Sequence, residues 1–358
     1  MINSVCSNCQ PLRLISSGQG GTGKSKVIDI LNRIVSREVH DAALPVVIAA
    51  PTGLAAFSIG GTTLHRLLNL PIEYGKPADY SRLQQEQLTL LKATLKGVRL
   101  LIIDEVSMVS SLTLLYVHMR LTEITSCNDL FGGLNTVFFA DFLQLPPVKG
   151  NQPFIPVTFL EAKQRFGAIA SINVSQTFEY DELTINMRHH ADNIRVSNLT
   201  DEQYHLLYGR LITPGGRATV PTICQKYHSL AAEGQSPLIL MPRTSLCDEI
   251  NTAMLTEIGT LVHILMAINT LDTVVASPMM KKVQHAYEES GDDVTRTAGL
   301  EKQLQLCVGC KVMLKRNKSV EAGLVNGSVG TVVALNMSTE HNTVHSVAVK
   351  FQKKWTEW

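Results

Sequence analysis

A surplus of charge of either sign is what this sequence lacks. In 358 residues, 32 Lys and Arg stand against 31 Asp and Glu, a net charge of +1. That balance excludes binding to nucleic acid or membranes through bulk charge, so any such binding must come from a local groove. Charged residues make up only 18% of the chain against 45% hydrophobic, which excludes an acidic or basic disordered tail. Seven cysteines are too few for a disulfide scaffold at this length. The longest apolar stretches, such as Ala42 to Ala50, fall well short of the roughly 18 residues that cross a bilayer, and Met1 to Gln10 is polar. The expectation is a soluble chain with no secretory signal and no membrane partner. At roughly 150 residues per domain, it has about two domains.

Zinc ligands are also scarce in pattern. Cys6 with Cys9 and Cys307 with Cys310 have C-x-x-C spacing, but about 300 residues separate the pairs, where zinc ribbons use roughly 15 to 20. Ordinary reduced thiols are expected, and no structural zinc.

What is present is a repeated theme in the first half: an apolar run, then small, polar or charged residues, then a helical pattern. The runs are Leu12 to Ser16, Val46 to Ala50, Val98 to Ile103 and Thr136 to Ala140. Between the first two, Val27, Ile28, Ile30, Leu31, Ile34 and Val35 form the i, i+3, i+4, i+7 stripe of a helix over Lys26 to Arg37. Ser81 and Gln84 have capping-box spacing and predict a second helix from Ser81 to about Gly97. Strands alternating with helices predict a parallel, doubly wound α/β sheet, in which a ligand sits at the carboxyl ends of the strands.

The residues at those ends fit one site. After the first strand comes Gly18-Gln-Gly-Gly-Thr-Gly-Lys-Ser25, the G-x-x-x-x-G-K-[ST] phosphate loop, placed between strand and helix as its mechanism requires. Backbone N–H groups of Gly18, Gly20, Gly21, Thr22 and Gly23 would wrap phosphate oxygens, helped by the helix dipole. Lys24 would reach the β- and γ-phosphates and Ser25 would ligate magnesium. After the third run comes Asp104-Glu105. There Asp104 would hold the magnesium water shell opposite Ser25, and Glu105 would orient and deprotonate an attacking water. The second and fourth runs are followed by Pro51 to His65 and Asp141 to Val148, polar loops that are not generic nucleotide motifs.

These segments, with Leu101 to Met108, Leu183 to Arg188 and Gly323 to Gly327, resemble the RecD-like branch of superfamily one DNA helicases. Within it they are similar to the Pif helicases and the helicase regions of Helitron transposons. The motifs run in family order from about residue 11 to 350; Asp-Glu-Val-Ser-Met and Asp-Phe-x-Gln-Leu-Pro-Pro are the most specific. The resemblance implies a P-loop NTPase with RecA-like parallel sheets in two lobes, working with ATP and Mg2+. It implies an ATP-dependent DNA helicase moving 5′ to 3′ on single-stranded DNA, with roles in DNA repair, recombination or telomere maintenance. Duplex junctions would be its targets, the nucleus its location and a monomer its state.

Residue roles follow from the same resemblance. Gln144 would sense the γ-phosphate with Asp141 in support, and Arg188 would be an arginine finger. Thr52, Gly53 and His65 would touch single-stranded nucleic acid, with Phe57 as a stacking candidate beside its plainer role as an apolar helix residue. His189, His190 and Asp192 read as solvated rather than metal-binding. Lys311, Lys315, Arg316 and Lys318 could line a DNA groove or form a solvated face.

The expected domains are a nucleotide-binding lobe over residues 1–182 with a helical insertion at about 66–97, a partial second lobe over 183–322, and the start of an SH3-like β insertion over 323–358. Pro237 to Met241 reads as a strand before a helix from Arg243. Asn326-Gly327 reads as a tight hairpin turn, and Val329 to Ala334 and Val344 to Phe351 read as barrel strands. Departures from the family are Ala140 for Gly, His189 for Gln, a short stretch after Asp192 and too little chain for an adenine-reading Q motif. The later motifs are also absent. The alternative expectation is therefore a truncated, transposon-derived fragment that binds ATP and DNA without unwinding.

Overall fold

The computed structural model describes residues 10–40, 42–71, 80–148, 150–158, 160, 162–163, 174–186, 200–213, 216, 218–267, 301, 303–319, 322–337 and 344–351. The chain divides into two compact units. The first comprises residues 1–192, 316–327 and 355–358; the second comprises 193–315 and 328–354.

The first unit is built on a six-stranded sheet of β1 (Arg13–Gly18), β2 (Val46–Ala50), β3 (Thr62–Thr63), β4 (Leu100–Ile103), β5 (Asn135–Ala140) and β6 (Glu179–Leu183), in the order β3-β2-β4-β5-β1-β6. Every pairing is parallel. Parallel strands bury both faces, which is why β2 and β4 are apolar throughout. Val46, Ile48, Leu100, Ile102, Val137 and Phe139 face one core, where Ile28 and Val35 of α1 (Lys24–Glu38) pack. The alternating Val47, Ala49, Leu101, Ile103, Phe138 and Ala140 face the other, covered by Leu114, Leu115, Val117 and Leu121 of α5 (Ser111–Thr125). There Phe138 stacks on Phe178 with ring centroids 4.5 Å apart.

Two short helices follow β2: α2 (Gly53–Ser58) and α3 (Leu64–Leu68). The helix predicted from Ser81 begins later, as α4 (Gln85–Thr94), with Gln84 as a cap that makes no side-chain bond. The reason is that residues 80–83 are tied elsewhere. Glu123 accepts from the Leu83 N–H and the Tyr80 hydroxyl, each at 2.9 Å, and Arg120 donates to the Ser81 carbonyl at 3.2 Å. Arg120 is 2% exposed, pairs with Glu123 at 2.7 Å and lies 4.9 Å from the Tyr80 ring centre.

The segment 316–327 belongs to the first unit although it is distant in sequence from the rest of it. It packs on α2. Any side chain at Gly53 would collide with Asn317, and a Cβ at Gly323 would lie 2.7 Å from the Phe57 ring. Gly323 also has φ +72°, a conformation that costs other residues of order 1–3 kcal/mol. Gly323→Ala should therefore destabilise the first unit by at least that range in urea denaturation; an unchanged midpoint would show that the contact is not native.

The second unit contains α7 (Asp201–Tyr208), α8 (Val220–Ala232) and α9 (Thr244–Glu257), with α6 (Val174–Thr177) lying before it in sequence. It also holds the antiparallel pair β7 (His263–Met266) and β8 (Gln303–Leu306), and an antiparallel sheet in the order β11-β10-β9, from β9 (Lys311–Met313), β10 (Val329–Met337) and β11 (Val344–Phe351). Val329 to Ala334 and Val344 to Phe351 are strands as expected. Two other expectations fail. Residues 237–241 form no strand, and Leu238 and Leu240 stand exposed. Asn326-Gly327 is not a two-residue hairpin, because β10 pairs with β9 and the whole stretch 314–328 intervenes. The Asn326 N–H instead donates to Asn317 Oδ1 at 2.8 Å. Cys307 and Cys310 are buried with Leu306 and Val332 in a small core, the Cys307 N–H pointing at Cys310 Sγ at 3.5 Å. Cys6 and Cys9 lie outside the described residues.

Candidate functional site: a phosphate loop ringed by carboxylates

Strand register brings the sequence motifs to one edge. Ser17 pairs with Ala140, Gly18 with Leu183, Ile103 with Phe138 and Ala49 with Ile103. The residues that follow β1, β4, β5 and β6 therefore emerge side by side.

The loop after β1 folds on itself. Thr22 Oγ1 donates to the Gln19 carbonyl at 2.9 Å, and Gly23 caps α1 in the left-handed region at φ 92°. No acidic residue occupies the first turn of α1, so the positive end of its dipole is left uncompensated for an anion. Lys24 is nearly buried, its ammonium donating to the Gly18 carbonyl at 2.6 Å and the Gln19 carbonyl at 3.0 Å. Ser25 follows it, exposed, on the first turn.

Asp104 directly follows β4 at 5% exposure, with Oδ1 accepting the Glu105 N–H at 2.9 Å. Burial raises its pKa, against the lowering effects of that hydrogen bond and of Lys24. Glu105 adopts φ 51°, a left-handed conformation uncommon for a non-glycine residue. Its Oε2 is buried and has no hydrogen-bond partner within the protein. Burial first, then Asp104 and Asp141, raise its pKa above the ordinary 4.5, with Lys24 opposing. A strained, buried carboxylate with an unengaged oxygen is what a general base at a strand end requires.

Asp141 directly follows β5 at 2% exposure and holds Gln144: Oδ2 accepts from Gln144 Nε2 at 2.9 Å, and Oδ1 from the Leu143 N–H at 3.2 Å. A Cβ at Gly20 would lie 3.8 Å from Gln144 Nε2, so this amide stands against the phosphate loop. Lys24, Asp104, Glu105, Asp141 and Gln144 thus come together with residues 18–25. Asn186 joins them, its Nδ2 donating to the Gly20 carbonyl at 3.1 Å. Sequence reading gave Asn186 no role, although its place just past β6 was the available signal. Arg188, His189, His190 and Asp192 lie outside the described residues.

The residues expected at nucleic acid sit around α2 and α3. Thr52 caps α2, its Oγ1 accepting from the Ala55 N–H at 3.2 Å. Gly53 is buried beneath Asn317, and the Phe57 ring lies against Gly323. Burial lowers the pKa of His65, which keeps it neutral near pH 7. His65 lines a cleft of about 470 Å³ with Thr63, Arg66, Asn69, Leu70, Asn317 and Lys318.

A parallel sheet of this order, with a phosphate loop after the inner strand β1 and acids after β5 beside it and β4 one strand further, defines a RecA-like P-loop protein. Solved structures with the same fold include Pif1 helicase at forked double-stranded DNA, described as two coordinating helicases (TM-score 0.59, 22% identity, 98% of this chain and 72% of that one). Another is Bacteroides Pif1 helicase with ADP-AlF3 and single-stranded DNA (TM-score 0.57, 21% identity, 98% and 70%). The chain belongs to the PIF1-like helicase family, whose family model matches residues 1–205, and the 2B domain of the DNA helicase Pif1 matches residues 297–335. A curated relative, the ATP-dependent DNA helicase PIF7 of Trypanosoma brucei brucei, is 27% identical over 350 residues, which are 92% of this chain and 32% of that protein. The chain spans about a third of that relative's length.

Proposed function

We propose that this chain is the ATP-hydrolysing part of a DNA helicase that couples Mg-ATP hydrolysis to 5′ to 3′ movement along single-stranded DNA. The observation that carries this reading is the convergence of Lys24, Asp104, Glu105 and the Asp141–Gln144 pair on one phosphate loop. Lys24 and the loop N–H groups bind the phosphates, with Asp141 holding Gln144 toward the γ-phosphate and Arg188 as the arginine finger. Glu105 takes a proton from the attacking water. Ser25 and Asp104 offer the hard oxygen donors that suit magnesium, which keeps several waters of its own. When bound, that ion neutralises phosphate charge. Thr52 and His65 face the DNA strand, while Gly53 lies beneath Asn317 and Phe57 serves the packing of Gly323.

The same reading takes residues 1–182 as the nucleotide-binding lobe, 183–322 as part of a second lobe and 323–358 as the start of an SH3-like insertion. The match to a 2B domain over residues 297–335 overlaps the end of the second of these segments and the start of the third. A monomer acting at duplex junctions is the proposed working form. Relatives occur in a bacterium, an invertebrate virus and eukaryotes, and the same reading gives the chain a nuclear location and a role in DNA repair, recombination or telomere maintenance. No helix among the described residues is long and apolar enough to cross a membrane.

The test is ATP hydrolysis by the 358-residue chain with and without single-stranded DNA. Stimulation by single strands supports the reading; ATP binding without stimulation supports the alternative of a fragment that binds but does not move.

A further inference from the structure

We propose that Asn186 is a positioning residue for ATP: by holding the Gly20 carbonyl it turns the next peptide N–H, that of Gly21, toward the phosphates. The inference deepens the ATP-hydrolysis reading and rests on it.

A phosphate loop can spare its N–H groups for an anion only if its carbonyls are satisfied elsewhere. The Gly18 and Gln19 carbonyls accept from the Lys24 ammonium at 2.6 and 3.0 Å, and Gln19 also accepts from Thr22 Oγ1 at 2.9 Å. The Gly20 carbonyl is held from outside the loop. Asn186, 166 positions later in the chain, donates to it through Nδ2 at 3.1 Å. The peptide between Gly20 and Gly21 is trans, and in a planar trans unit the N–H points opposite to the C=O. Drawing the Gly20 carbonyl to Asn186 therefore aims the Gly21 N–H away from it. That N–H makes no hydrogen bond among the described residues, and the N–H groups of such a loop are the ones that cradle the α- and β-phosphates. Flanked by two glycines, with Gly21 at φ +94°, this peptide can turn over at little steric cost. The bond from Asn186 selects one orientation.

The sheet places that bond. β6 pairs with β1 in parallel, Leu183 opposite Gly18, so the chain leaving β6 runs beside the loop. Thr184 and Ile185 are exposed there, Ile185 at 73%, whereas Asn186 is half-buried. β1 lies between β5 and β6, and Gly20 meets an amide from the chain beyond each. Asn186 comes from beyond β6, and Gln144, whose Nε2 would lie 3.8 Å from a Cβ at Gly20, from beyond β5. The chemistry asks for a donor at 186, because a carbonyl can only accept.

The experiment measures the equilibrium affinity of mant-ADP, and KM and kcat for ATP, in the full chain. Asn186→Ala should weaken mant-ADP binding and raise KM by about 2- to 10-fold, the worth of one hydrogen bond. Its kcat should be essentially unchanged, since the loop holds the phosphates alike before and during reaction. Asn186→Asp has the same shape but sets a carboxylate oxygen against the carbonyl, and should weaken binding further. Asn186→Gln keeps an amide donor and should stay closer to the parent than Asn186→Ala does. Ile185→Ala, which trims the exposed neighbour, should match the parent. Affinity should fall without a matching fall in the thermal midpoint. Unchanged mant-ADP affinity in Asn186→Ala would overturn the inference. So would a loss that tracks a lower thermal midpoint, which would make Asn186 a tie for the chain after β6, or a lower kcat at unchanged KM. A parent that binds no mant-ADP would reject the ATP reading itself.

Discussion

Glu105→Gln should lower ATP hydrolysis by about 10²- to 10⁴-fold, the usual contribution of a positioned general base, while nucleotide binding persists. The amide keeps the size of the side chain and loses only the basic oxygen. Its backbone conformation, φ 51°, and its bond to Asp104 Oδ1 do not depend on the charge. A pH profile gives a second reading. Because burial, Asp104 and Asp141 raise the Glu105 pKa, hydrolysis should fall on acidification at a pH above the ordinary 4.5. The same shift has a stability consequence of opposite sign. Between 4.5 and the raised value the folded chain binds more protons than the unfolded one, so stability declines as pH rises through that window. At neutral pH, Glu105→Gln should therefore raise the thermal midpoint while it removes activity. A variant that is both less active and less stable would show that Glu105 supports the fold rather than the chemistry.

Much of this site was readable from the chain because its residues sit at the ends of strands with unmistakable patterns. β2 and β4 are continuous aliphatic runs, and a phosphate loop between a strand and an amphipathic helix points strongly to a nucleotide. β6 was not readable, since Glu-Tyr-Asp-Glu-Leu is a polar strand that, among the described residues, pairs with β1 alone. That is also why Asn186, just beyond it, received no role. α5 was hidden by a different cause. Leu114, Leu115, Tyr116 and Val117 are consecutive buried residues, so the helix presents no single apolar stripe, and Arg120 is buried beside them. The approach of Asn317 to Gly53 joins positions 264 residues apart. No local pattern encodes such a contact, and Asn326-Gly327, a good hairpin signal by itself, is spent on supporting it.

The buried Arg120 carries the other large expected effect. Its guanidinium pairs with Glu123 and donates to the carbonyls of Asn69 and Ser81, three acceptors on separate stretches of the chain. Arg120→Met keeps the volume and the apolar contacts but leaves two carbonyls and a half-buried carboxylate without their donor. Removing one partner of a buried pair costs about 3–5 kcal/mol, and that loss should appear as a lower urea midpoint. Arg120→Lys should recover little, because a single ammonium lacks the planar fork that reaches all three acceptors. Removing both charges, in Arg120→Met with Glu123→Met, should not restore stability either. The Leu83 N–H and the Tyr80 hydroxyl would then lose their acceptor, and an unpaired buried donor costs about 1–3 kcal/mol. Since Arg120 also holds the end of α3, whose His65 faces the DNA strand in the proposed function, oligonucleotide affinity should fall with stability in Arg120→Met, even under conditions where the chain remains folded. If affinity were untouched in a folded but destabilised Arg120→Met, α3 would be shown to hold its position without this anchor.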